Sequence, residues 1–157
     1  MADLITDDAA AFADALPAAG ALLGLDLGTR TIGVAASDPA RRLAMPVETV
    51  RRSRFAADAD TLRALCAARG AAGLVLGLPV NMDGTEGPRC QSSRAFARNI
   101  AAALSLPVLL WDERLSTAAV ERALIALDTS RRRRAAIIDA QAAAYILQGA
   151  LDRLARL

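Results

Sequence analysis

The stretch from Leu23 to Ala35, Leu-Gly-Leu-Asp-Leu-Gly-Thr-Arg-Thr-Ile-Gly-Val-Ala, constrains this chain more than any other. Two apolar runs flank a turn at Gly28-Thr29-Arg30, and β-type runs so closely spaced favour a hairpin. The first run spends one carboxylate, Asp26, near its end. A buried charge without a partner is costly, so Asp26 needs a cation: an arginine, a metal ion or the metal on a phosphate. Gly24, Leu25, Leu27 and Gly28 mark its strand as central. The plainer alternative is a surface-facing acid, or one paired with Arg30.

Two further acidic positions have similar settings. Asp112 and Glu113 follow the apolar run Pro107 to Trp111, at the carboxyl end of a strand, where open α/β sheets bind ligands. An acid at a helix start is the equal alternative, and position does not choose between the two residues. Arg114 can order whichever carboxylate is left over. Asp139 sits in the run Ala135 to Leu147 and shares a helical face with Ala142, Ala143 and Ile146. That face is apolar and small, suited to close packing on a sheet. Three carboxylates at the ends of core elements, in a chain with no His, suggest a divalent-metal site built from oxygen ligands.

The 157 residues suffice for one domain with its own core. Hydrophobic residues make up 54% and aromatic residues only 3%, so the core must be built from Ala, Leu, Val and Ile. All 19 basic residues are Arg, and any phosphate contact therefore uses the planar guanidinium fork. The first twenty residues hold Asp3, Asp7, Asp8 and Asp14 and no base, which leaves the rest more basic than the formal net charge of +2. That balance leans towards a polyanionic partner. Cys66 and Cys90 form no C-x-x-C pair, which argues against a zinc site or disulfide framework and fits a reducing cytosol. No apolar run approaches the roughly 20 residues that span a bilayer, and the acidic N-terminus does not resemble a signal peptide. A cytoplasmic enzyme or binding protein, away from the membrane, is expected.

Residues 1–20 read as an extension that need not belong to the core, flexible or carrying a short helix, for example from Asp7 to Leu16. Strands are expected over 21–28, 31–38 and 43–51, the last at a sheet edge because Pro46 lacks a backbone donor. A helix over 54–69 follows, with Ser53 as its N-cap and Gly70 as its stop, then a strand at Leu74–Leu78. A polar loop from Pro79 to Pro88 leads into a helix over 89–104, with Phe96, Ile100 and Leu104 at four-residue spacing. Pro107–Trp111 is the fifth strand. Ser116 or Thr117 can cap a helix to Leu127, Asp128–Arg134 reads as a basic connector, and the last helix covers 135–155. The order gives an α/β fold: a five-stranded mixed sheet, three antiparallel strands then two parallel, flanked by helices.

The loop before the second of these helices offers Asn81, Asp83, Thr85 and Arg89 to a substrate, beside a helix N-terminus able to meet a phosphate. As plain structure it is a long polar loop of turn residues. Arg131, Arg132, Arg133 and Arg134 are more often a solvated basic turn, but their place just before Asp139 suits a nucleic-acid backbone.

Four segments, taken together, resemble the YqgF or RuvX family of pre-16S rRNA nucleases and Holliday junction resolvase-like proteins. They are Gly24–Ala35, Val75–Glu86 (Val-Leu-Gly-Leu-Pro-Val-Asn-Met-Asp-Gly-Thr-Glu), Asp112–Thr117 (Asp-Glu-Arg-Leu-Ser-Thr) and Ile138–Leu147. The resemblance covers residues 21–152 in family order and spacing. It implies an RNase H-like nuclease domain over 21–157, with Asp26, Glu113 and Asp139 as catalytic and metal-binding acids. It is the resemblance, rather than position, that selects Glu113 over Asp112. The implied chemistry is phosphodiester hydrolysis with two Mg²⁺ or Mn²⁺ ions, ~4 Å apart and bridged by Asp26. Arg30 would anchor a substrate phosphate or order Asp26, and Arg114 joins the substrate contacts. The implied partner is nucleic acid: precursor rRNA for 5′-end processing of pre-16S rRNA in ribosome biogenesis, or branched DNA. The protein would act as a monomer or homodimer, and a resolvase would need a two-fold dimer. A non-catalytic nucleic-acid-binding or transcription factor is the rival. An actin-like ATPase, prompted by Asp26-Leu-Gly-Thr29, would need a second lobe and a second phosphate hairpin, which the chain lacks. Two features depart from the family pattern: the extension before residue 21, and arginine throughout where a lysine-bearing stretch usually precedes the last acid.

Overall fold

The computed structural model describes residues 4–115 and 131–157, side chains of 131–137 excepted. Six strands form one sheet: β1 (Ile5–Thr6), β2 (Ala21–Leu27), β3 (Thr31–Ser37), β4 (Ala44–Arg51), β5 (Ala71–Leu78) and β6 (Val108–Asp112). Their spatial order is β1-β6-β5-β2-β3-β4. The pairs β2–β3 and β3–β4 are antiparallel, and β2–β5, β5–β6 and β1–β6 are parallel. The described helices are α1 (Ala9–Ala15), α2 (Phe55–Arg69), α3 (Pro88–Leu104) and α4 (Arg131–Ala155).

Strand alternation divides the core in two. Leu23, Leu25 and Leu27 of β2 point with Leu74 and Leu76 of β5 to the face covered by α2 and α3, against Leu62, Phe96 and Ile100. Leu22, Val75 and Leu109 point to the opposite face, against Phe12 of α1 and Ala143, Ile146 and Leu147 of α4. Both cysteines are buried and free, and burial pushes the Cys66 thiol up to about 11. Among the described residues no helix is long and apolar enough to cross a membrane.

The mixed sheet follows the sequence pattern, and β4 lies at the edge, with Pro46 opposite Ala35 beside a register shift. Gly70 ends α2 in the left-handed region at φ 63°, where it has no Cβ to strain. Three expectations are corrected. Ser53 is not the N-cap of α2; Arg54 is. The Ser53 amide and hydroxyl instead donate to Asp58 Oδ1, at 3.0 and 3.1 Å, closing the turn from one residue outside the helix. The last helix begins at Arg131 rather than 135, since arginine is a good helix former and the four-arginine run carries no breaker. The expected helix from Ser116 or Thr117 to Leu127 lies outside the described residues.

The third correction concerns the strand count: residues 1–20 carry the short helix expected there, as α1, and also add a sixth strand. Ile5 and Thr6 pair with Val108 and Leu109. Asp8 caps α1 through its Oδ1, which accepts from the Ala10 amide at 3.0 Å. The ring of Phe12 is fully buried. A Cβ on Gly73 would stand only 3.0 Å from it, so that glycine makes the ring's seat. One aromatic among Ala and Asp gives little periodic signal, but it binds the segment to the core. Phe12→Ala should cost about 3–5 kcal/mol in urea denaturation; a loss below about 1 kcal/mol would mean that the segment is dispensable to the fold.

Candidate active site

Alternation along β2 places Asp26 on the α4 face, in line with Leu22 and Gly24. Gly24 lies under α4, where an added Cβ would stand 2.7 Å from Leu147 Cβ and 2.8 Å from the Ala143 carbonyl oxygen. Directly across the antiparallel pair, Asp26 faces Gly33. Gly33 in turn lies against the main chain of Asp139, so tightly that a Cβ there would collide with the Asp139 carbonyl. The chain therefore lays the backbone of Asp139 over the residue opposite Asp26. Thr31, two residues before Gly33 and on the same face, fixes the acid itself: its Oγ1 donates to Asp139 Oδ2 at 2.7 Å. Sequence reasoning missed Thr31. The signal was a polar residue at the start of an apolar strand, in phase with a glycine.

The third acid arrives from the other side. β6 ends with Asp112 opposite Leu78, and a 3₁₀ turn over Glu113–Leu115 follows. The carboxyl carbon of Glu113 lies 3.1 Å from where a Cβ on Gly77 would stand. The β2–β5 register runs to Leu25 beside Leu76, so Asp26 and Gly77 come next on neighbouring strands. Glu113 thus lies over one neighbour of Asp26 and Asp139 over the other, all at the carboxyl end of β2 and β5. Asp112 turns away: its carboxylate accepts from Arg114 Nε at 3.0 Å and Nη2 at 2.7 Å. Among the described residues, no three His, Cys, Asp or Glu side chains are set to hold one metal ion as they stand. The acids share a face and an end of the sheet but are not drawn together as a ligand set.

The remaining candidates fall into three groups. Asn81, Asp83 and Thr85 bond to one another: Asn81 Nδ2 donates to Thr85 Oγ1 at 3.0 Å, and the Thr85 hydroxyl donates to Asp83 Oδ1 at 2.6 Å. The hydroxyl and amide of Thr85 hold the Asp83 carboxyl below its ordinary value. These side chains shape the loop. Arg114 Nη1 reaches the Met82 carbonyl at 3.4 Å, tying that loop to the end of β6, and Arg94 binds Glu86 through two contacts of 2.7 Å, tying it to α3. Arg30 and Arg89 are exposed. Arg30 stands at the hairpin tip, where its carbonyl accepts from the Arg52 amide at 2.8 Å. The side chains of Arg131, Arg132, Arg133 and Arg134 lie outside the described residues.

Two expected outcomes test this geometry. Gly33→Ala would drive a methyl into the Asp139 backbone, inside a helix that cannot yield locally. It should cost about 1–3 kcal/mol in urea denaturation and displace Asp139 from Thr31; an unchanged midpoint would refute the close approach. The second concerns pH. Hydrogen bonds from Arg114 hold Asp112 below its ordinary 3.8, so the folded state binds this proton less readily than the unfolded chain. The stabilisation is full above that ordinary value and is lost as pH falls through the lower folded value. Asp112→Asn, costing under about 1 kcal/mol at pH 7 because the pair is partly exposed, should cost nothing well below pH 3.8. A penalty that persists in acid would rule out the ion pair as its source.

The chain matches the family described as RuvX, Holliday junction resolvase, over residues 20–153. It is 71% identical over 141 residues to a Rhodopseudomonas palustris (strain HaA2) protein named "Putative pre-16S rRNA nuclease", covering 90% of this chain and 88% of that one. A Cereibacter sphaeroides protein of the same name is 65% identical over 143 residues, covering 91% and 89%. Among solved structures, the fold is similar to Thermus thermophilus RuvC in complex with a Holliday junction substrate. The TM-score is 0.51 at 13% identity, over 87% of this chain and 96% of that one. That likeness is one of fold, the RNase H-like fold. On the family match and the two close relatives, this chain belongs to the RuvX family.

Proposed function

We propose that this protein is a divalent-metal-dependent endonuclease that hydrolyses phosphodiester bonds in the 5′-end processing of pre-16S rRNA. The observation that carries the reading is the placement of Asp26, Glu113 and Asp139 on one face at the carboxyl end of the central strands. The names of the close relatives favour precursor rRNA as substrate. The family's own description keeps four-way DNA junctions as the second substrate to test.

A donor set of carboxylate oxygens, with neither His nor a nearby thiolate, fits Mg²⁺ or Mn²⁺. Asp26, Glu113 and Asp139 would hold the ions. When bound, such ions lend charge to the scissile phosphate and lower the pKa of water beside it. The chain's own residues do the rest. Thr31 holds the Asp139 carboxylate in one orientation, as outer-shell donors do for metal ligands. Gly33 and Gly77 keep the floor between the acids free of side chains. Arg114 takes Asp112 out of the site by satisfying its charge. Arg30 at the exposed hairpin tip meets the substrate backbone.

Cleavage of a precursor rRNA fragment and of a four-way DNA junction, each with Mn²⁺, Mg²⁺ or EDTA, tests the proposal. Metal-dependent cutting of the RNA should fall by at least about 100-fold in Asp26→Asn, Glu113→Gln and Asp139→Asn, beyond the loss typical of an outer-shell partner. Mn²⁺ should also raise the melting temperature of the wild type more than that of Asp139→Asn. Symmetric cutting of the junction alone would replace rRNA processing by junction resolution. Binding without cutting of either substrate would refute the nuclease.

A further inference from the structure

The last residue of β4 stands beside the site. Arg51 is directly opposite Thr31 in the β3–β4 register, and opposite residues of an antiparallel pair hold their Cβ atoms about 5 Å apart on one face. That face is the one that carries the acids. The Thr31 hydroxyl reaches Asp139, while Ile32 and Val50, the next pair along, point to the α2 side. Arg51 is exposed and lies one strand further out than Thr31.

Three more arginines gather at this corner. The Arg52 amide donates to the Arg30 carbonyl at 2.8 Å, closing the end of β4 onto the hairpin tip. Arg52 Nη1 donates to the Gly28 carbonyl at 2.7 Å, which fixes its charge there. Arg54, exposed, follows as the N-cap of α2. The acids within reach in sequence are turned elsewhere. Asp58 is buried and accepts from the Ser53 amide and hydroxyl. Glu48 is opposite Val34, on the α2 side. Among the described residues none of Arg30, Arg51, Arg52 and Arg54 is in an ion pair, whereas Arg63, Arg94 and Arg114 each are. Like charges gathered without carboxylates repel one another and suit a polyanion.

The opposite flank carries the other sign. β6 ends in Asp112, the β5–α3 loop holds Asp83 and Glu86, and Asp7 and Asp8 follow β1, which is parallel to β6. Arg114 and Arg94 are committed to Asp112 and Glu86. Among the described residues, charge therefore runs across the carboxyl end of the sheet from acidic at β1 and β6 to basic at β4, with the three site acids between.

We propose that the nucleic-acid strand is gripped on one side of the cut only. It leaves the carboxylates over the hairpin tip and follows the β4 edge, where Arg51 and then Arg54 each hold a phosphate that is not cut. The inference rests on the nuclease reading above and gives its substrate a path. Both arginines are binding residues, each able to span two phosphate oxygens with its planar fork.

The test is binding of single-stranded RNA of precursor sequence in EDTA, over a range of salt, by fluorescence anisotropy. Wild type is compared with Arg51→Gln/Arg54→Gln and with Arg69→Gln/Arg156→Gln, which removes two exposed charges from the ends of α2 and α4. The first variant should bind about tenfold more weakly at low salt, and its slope of log K against log salt should fall by about 1.4, two phosphates at ~0.7 each on a single strand. The second should change neither. Arg51→Lys/Arg54→Lys, which keeps both charges, should keep the slope. In cleavage, shortening the RNA on one side of the cut should raise the wild-type KM, and shortening it on the other should not. Unchanged affinity and slope in Arg51→Gln/Arg54→Gln would overturn the path, even with cutting intact and lost in Asp26→Asn. An equal loss in Arg69→Gln/Arg156→Gln would also overturn it, leaving net charge as the cause, as would equal dependence of KM on both sides of the cut. Weakened binding in a protein that cuts nothing would uphold the arginine edge while refuting the nuclease. Circular dichroism melts of the variants, expected to match the wild type, exclude misfolding as the cause.

Discussion

The approach of α4 to the sheet is the constraint on which the rest of the molecule depends. It is closer than ordinary side chains permit. Gly24 and Gly33 lie beneath its backbone and Gly77 beneath Ile146, and at each a single methyl would meet atoms at less than 3 Å. The helix answers in kind, burying Ala142, Ala143, Ala144 and Ala150 against the strands. Small residues on both surfaces lower the helix until a main-chain carbonyl, rather than a side chain, rests on β3. That explains a core with so few aromatics, and it fixes where the carboxylate of Asp139 can go.

The charges around this contact are sorted by their partners. Arg114 takes Asp112 and Arg94 takes Glu86, so those acids belong to the scaffold. Both arginines also tie the Asn81–Glu86 loop to the sheet and to α3, and the loop's own Asn81, Asp83 and Thr85 bonds stiffen it from within. Arginine serves each role because its planar fork spans two carboxylate oxygens at once. Arg30, at the hairpin tip, and Arg89, at the start of α3, stay exposed.

Much of this was legible in the sequence, for physical reasons that differ by residue. The apolar run Leu22–Leu27, interrupted only by Asp26, and the Gly28-Thr29-Arg30 turn after it placed the hairpin and its acid, because a buried strand tolerates few exceptions to its pattern. Pro46 announced an edge strand by its missing donor. The choice of Glu113 over Asp112 was not available from position and came through family resemblance; the pairing of Arg114 with Asp112 is a tertiary fact that spacing does not reveal. Other features are tertiary and leave weak local traces. Phe12 is one ring in an Ala-Asp segment, and its seat is a glycine far away in β5. Thr31 becomes meaningful only when α4 arrives. Ser53 has the right chemistry for a cap but spends it on Asp58, one residue too early. Asn81, Asp83 and Thr85 were legible as a loop, while their commitment to one another depends on a turn that spacing alone does not specify.

The hydrogen bond between Thr31 and Asp139 joins residues 108 positions apart. A ribosome therefore makes the hairpin, and then Glu113, well before it makes the helix that brings the third carboxylate. A growing chain can pair its strands while Gly24, Gly33 and Gly77 still lie uncovered, and in that state its carboxylates are incomplete. Order of synthesis therefore leaves this end of the sheet unfinished until the last helix has been made.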